Sequence, residues 1–185
     1  MPKISSREKI TNYLDGQSDG VKWYFTLLPE LLDNISTPEP ALYYCFQRIE
    51  SAQRVGLYCL LMRAYRTDSK LAWGAVDRLD ITRRNFLDFY EAVAGHKLPP
   101  TLRATIEPAE KVRDRIIHGR QESKASVHNA ILSCLKFADT LNDAFFVGVG
   151  FRPIGPLKGV TGMKGKPQLD QKISRAVLRG LGFPV

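Results

Sequence analysis

Over residues 41–65 the side chains of Tyr44, Cys45, Ile49, Ala52, Val55, Cys59, Leu60 and Met62 recur at intervals of three to four. That period lines them along one side of an α-helix, the longest that the pattern predicts. A second stripe, Val127, Ala130, Ile131, Cys134, Leu135, Ala138, Leu141 and Phe145, predicts another long helix over about 122–146.

Shorter elements follow from their boundaries. SSRE at 5–8 fits a capping box opening a helix to about residue 15. GVKWYFTLLPELLDN predicts an apolar helical segment broken near Pro29, and STPEP then punctuates the chain. A helix is expected over 69–79. The next, in ITRRNFLDFYEAVAG, has Thr82 as N-cap and Gly95 as C-cap. Pro99 and Pro100 introduce a helix through TLRATIEPAEKVRDRII that stops at His118-Gly119, with Pro108 expected to kink or split it. Six glycines and three prolines between 148 and 167 read as an irregular arm, and PQLDQKISRAVLRGLG as a short basic amphipathic helix closing it. The fold class is all-α, an antiparallel helical bundle over 41–147 with an N-terminal helical extension, 1–40, and a basic C-terminal arm, 148–185.

At 185 residues such a bundle can bury a core without staples. Cys45, Cys59 and Cys134 stand in apolar helical contexts at no metal-ligand spacing, and read as core residues in a reducing compartment. MPKISSREKI lacks the apolar run of a signal peptide, and GLYCLLM is far too short to span a bilayer. A cytoplasmic protein with no membrane partner is expected.

Charge changes the picture more. The net charge is +8, and residues 151–185 carry seven bases (Arg152, Lys158, Lys164, Lys166, Lys172, Arg175 and Arg179) against Asp170 alone. Most of the excess therefore lies in the arm. A polyanion, nucleic acid above all, is the expected partner, against the plainer reading of a tail kept basic for solubility.

Three motifs fail. GVTGMKGKP has five residues between Gly159 and Gly165 and Pro167 where a P-loop needs a hydroxyl. His96, His118 and His128 show no metal spacing, so neither metal nor cofactor is expected. LAWGAVDRLDITRRNFLDFY allows a helix-turn-helix with Arg83 and Arg84 opening a recognition helix, but two core helices explain it equally well.

RDRIIHG at 113–119 carries the remaining chemistry. Helix ends favour basic residues and a following glycine, so a plain cap accounts for Arg113, Arg115, His118, Gly119 and Arg120. On an unbroken helix Arg113 and His118 stand roughly 140° apart, and they converge only if the helix stops where Gly119 stops it. Asp114 and His118 are i,i+4 neighbours, which lets the carboxylate orient the imidazole. Histidine suits proton transfer near neutral pH, and the planar arginine fork suits a phosphate. RNA brings its own nucleophile, the 2′-hydroxyl, so RNA cleavage fits these groups best.

VRDRIIHG at a helix end, before a second long helix, resembles the signature of the HEPN superfamily: Arg, a polar residue, three further residues, then His. Arg113, Asp114 and His118 match position by position, and the helices over about 41–146 match the family's bundle plan. The resemblance implies a metal-independent endoribonuclease, dimerising so that two motifs share a cleft. In it Arg113 would bind the scissile phosphate, His118 would transfer protons and Asp114 would support the geometry. It also implies a toxin–antitoxin or phage-defence setting, with a cognate antitoxin or larger effector as partner. Arg115, Arg120, Lys158, Lys164 and Lys166 are the expected contacts to the RNA backbone. Some members are inactive RNA-binding or interaction modules. A non-catalytic nucleic-acid-binding protein, or an assembly protein in which RDRIIHG is only a cap, are the competing expectations.

Overall fold

The structure, a computed structural model, describes residues 6–33, 36–79, 81, 83–157 and 167–185, leaving the side chains of Arg83 and Arg84 undescribed. Among the described residues there are nine α-helices and no strand, so the chain is all-α. They are α1 (Ser6–Asp15), α2 (Asp19–Tyr24), α3 (Leu28–Asp33), α4 (Glu39–Tyr65), α5 (Ser69–Asp77), α6 (Arg83–Ala94), α7 (Pro100–Ile117), α8 (Lys124–Val149) and α9 (Gln171–Gly180). None of the described helices is long and apolar enough to cross a membrane.

Local chemistry sets many of these boundaries. The side chains of Ser18, Asp68 and Asp170 cap α2, α5 and α9 by accepting from backbone N–H groups of the first turn. Ser123 does the same for α8, accepting from the Ser126 N–H at 3.1 Å. The apolar segment after residue 20 forms two short helices, α2 and α3, with Pro29 tolerated in the first turn of the second. Pro108, expected to kink or split its helix, lies inside the continuous α7. Its ring is exposed, so the carbonyl it leaves without an N–H partner one turn earlier can be hydrated.

Two compact units make up the chain. The first comprises the described residues of Met1–Ile49, Pro100–Leu141 and Ile154–Pro156. Its core takes Leu42, Cys45 and Phe46 from α4, Leu102 and Val112 from α7, and the buried stripe of α8. Here α1 is held to α8 at both ends: Ser6 Oγ lies 2.8 Å from His128 Nδ1, and the Tyr13 hydroxyl donates to the Asp139 carboxylate. Ile10 and Leu14 are buried on the same helix.

The second unit comprises the described residues of Glu50–Pro99, Asn142–Pro153 and Leu157–Val185. Phe86, Tyr90, Phe145 and Phe151 build an aromatic cluster at its centre. The closing basic helix expected from the sequence is present as α9, and it packs on α5. Cys45, Cys59 and Cys134 are all buried free thiols. Burial pushes each of them up, Cys59 to about 11.

Candidate active site

The motif lies in the first unit, at the C-terminal end of α7. Two backbone bonds close that end: Gly119 N–H donates to Ile116 C=O at 2.9 Å, and Arg120 N–H to Arg115 C=O at 2.9 Å. This is a Schellman cap, and Gly119 adopts the positive φ of +75° that it requires. His118 is therefore the last residue in register, its N–H still bonded to Asp114 C=O at 3.0 Å. The stop expected at Gly119 is the stop observed.

Arg113 does not extend freely into solvent. Its guanidinium carbon sits 4.4 Å from the centre of the Phe46 ring on α4, and only 23% of its side chain is exposed. Nε and Nη2 both donate to Asp114 Oδ1, at 3.3 and 3.1 Å. The i,i+4 spacing favours an Asp114–His118 pair, yet the carboxylate is held by the adjacent arginine. Pairing with Arg113 also relieves an acid placed in a last turn, against the helix dipole. The His118 imidazole is exposed and makes no hydrogen bond or ion pair among the described residues.

The two neighbouring arginines differ. Arg115 Nε donates to Glu122 Oε1, and Ser126 Oγ donates to Glu122 Oε2 at 2.8 Å. Those two bonds, the arginine's foremost, hold the Glu122 carboxyl below the usual range. Arg115 thus ties the end of α7 to the residues that lead into α8, through one of its N–H groups. Arg120, just past the cap, is exposed. Lys158, Lys164 and Lys166, and the glycine loop at 159–166, lie outside the described residues.

Phe46 and Glu122 are parts of this site that sequence reasoning missed. Glu122 carried a signal, since an acid just after a helix ending in Arg115 is well placed to bridge the turn. Phe46 carried none, because nothing in its spacing ties it to a residue on α7. Among the described residues no three His, Cys, Asp or Glu side chains gather where they could hold a metal ion.

Chemically, the end of α7 offers one oriented guanidinium, one carboxylate that orients it, and one exposed imidazole at the cap. No family model, no curated protein and no solved structure matches the chain.

Proposed function

We propose that this chain is a metal-independent endoribonuclease of HEPN type, built on a HEPN-like antiparallel bundle and acting as a homodimer. The observation that carries the reading is the Schellman cap at Gly119, which ends α7 directly after an exposed His118 that has no partner among the described residues. One imidazole and one largely covered guanidinium make only half a site. A second copy brought against the cap supplies the other half, and it would also cover Ile117, a large apolar residue left 59% exposed beside the histidine.

In that composite site one His118 takes the proton of a ribose 2′-hydroxyl. The 2′-oxygen bonds to phosphorus and the bond from phosphorus to the 5′-oxygen breaks. The His118 of the second copy returns a proton to the leaving 5′-oxygen. The products are a 2′,3′-cyclic phosphate and a 5′-hydroxyl. Arg113 neutralises the charge that builds on the phosphate, with Asp114 and Phe46 fixing its direction. Such a nuclease suits a toxin–antitoxin or phage-defence role, held in check by an antitoxin or larger effector.

The test is cleavage of RNA in EDTA by the purified chain and by His118→Ala. The exposed imidazole bonds to none of the described residues, so the variant should fold normally and lose about 10²- to 10⁴-fold in rate. Unchanged cleavage sinks the reading. A second reading, a non-catalytic nucleic-acid-binding module, is favoured by the engagement of Arg113 with Phe46 and Asp114. It predicts salt-dependent RNA binding without products.

A further inference from the structure

We propose that the outward face of α9, carrying Lys172, Arg175 and Arg179, is a binding surface for the phosphate backbone of RNA. The choice of RNA rests on the endoribonuclease reading. The surface itself rests on the second unit alone.

Spacings of three and four residues put these side chains within about 60° of one line along the helix, in a row roughly 10 Å long. All three are exposed, and none makes a side-chain hydrogen bond or ion pair among the described residues. The helix contains no acid, and the nearest one in the chain, Asp170, spends a carboxylate oxygen on the Lys172 and Ile173 N–H groups at 2.8 and 3.0 Å. The row therefore presents uncompensated positive charge over a length matching on the order of three phosphates of one strand.

The helix is anchored, so the charges are arrayed before any ligand arrives. Ser174 Oγ accepts from Asp68 N–H at 2.8 Å and donates to Leu169 C=O at 3.3 Å. Leu169 N–H donates to Arg66 C=O at 2.8 Å. Leu178 is buried, and past the helix end Phe183 packs on Phe89 with ring centres 4.7 Å apart. A cationic row on a fixed helix loses less conformational entropy on binding than one on a loose tail.

A basic amphipathic helix can also lie on a membrane, but only by giving its apolar face to lipid. Here that face is occupied: Ser174 and Leu178 are buried in the second unit, leaving a half-exposed Ile173 as the helix's one large apolar contribution to solvent. What remains outside is charge, and a polyanion fits it.

The experiment is fluorescence anisotropy of the full chain with a labelled 2′-O-methyl RNA oligonucleotide, which lacks the nucleophile and so cannot be cut. Between 50 and 200 mM salt, K172Q/R175Q/R179Q should flatten the slope of log K against log salt by about 2. The wild type then loses about 15-fold more affinity over that range than the variant. Arg175→Gln alone should flatten it by about 0.7, which keeps the test valid should the triple variant fail to fold. A charge-matched control, K9Q/R103Q/K136Q, should keep the wild-type slope. Equal slopes for wild type and α9 variant, equal loss in both triple variants, or wild-type binding to phosphatidylserine vesicles in place of RNA would each overturn the proposal. Cleavage of unmodified RNA is scored separately. A chain that binds but does not cut overturns only the catalytic reading, and one that cuts while the α9 variant binds unchanged overturns only this one.

Discussion

The Arg113 guanidinium carbon stands over the Phe46 ring, 4.4 Å from its centre, while Nε and Nη2 grip Asp114. One face is taken by the aromatic ring and one edge by the carboxylate, so the remaining N–H groups have a fixed direction. A group oriented in advance needs little reordering when a phosphate arrives, which is where positioned catalysts gain most over mobile ones. The same arrangement also stabilises the first unit, by about 0.5–2 kcal/mol for a largely covered cation–π pair.

Phe46→Leu separates those two roles. Leucine keeps most of the buried volume and removes the ring, so the loss should be about 1 kcal/mol, or roughly 2–4 °C in Tm. If Arg113 works on a phosphate, its loss of direction should cut RNA cleavage about tenfold or more at 25 °C, where the variant remains folded. Rate assays beside thermal melts decide it. A variant that melts earlier but cleaves at the wild-type rate assigns Arg113 to structure alone.

The clamp between α1 and α8 predicts a pH dependence of stability. Burial first, then the nearby Arg7 and Lys124 cations, hold the His128 imidazole below the ordinary histidine value. From about pH 6.5 downward the unfolded chain then binds a proton that the folded chain resists, so stability falls as pH falls through that window and is complete above it. Acids such as Glu122, lowered by their partners, act the same way only below the carboxylate range, so the two windows are distinct. Melts between pH 7.5 and 5.5 should show a falling Tm in the wild type and a flatter profile in His128→Gln. Parallel profiles would remove His128 as the cause.

What was legible in the sequence was whatever a local rule governs. The stripes on α4 and α8 follow from period, and the stop at Gly119 from the need for a residue that accepts positive φ. Pro108 does not split α7, and the carbonyl it orphans one turn earlier stands on the exposed side, where water reaches it; a rule on proline alone does not encode that exposure. Asp114 was assigned by spacing to His118, but the neighbouring guanidinium, always charged, offers the carboxylate a charge-assisted bond at 3.1 Å. The seat of Arg113 on Phe46 joins two helices far apart in the chain, and no period or cap encodes it. The amphipathic character of the closing helix followed from its pattern, whereas the partner that covers its apolar side, α5, did not.

Gly119→Ala tests whether the cap and the proposed site are one feature. Nothing lies within 4 Å of a Cβ built at this position, so added bulk meets no clash and the cost is confined to the backbone. An alanine held at φ +75° should destabilise by about 1–2 kcal/mol, whereas asparagine tolerates that region and should cost less. If the Schellman bonds fix where His118 stands, alanine should also lower cleavage several-fold at temperatures where the protein is fully folded, and asparagine should restore most of it. Should Gly119→Ala melt with the wild type, the cap contributes nothing. Should it melt earlier yet cut RNA at full rate, the glycine ends the helix without placing the histidine, and the link between stop and chemistry fails.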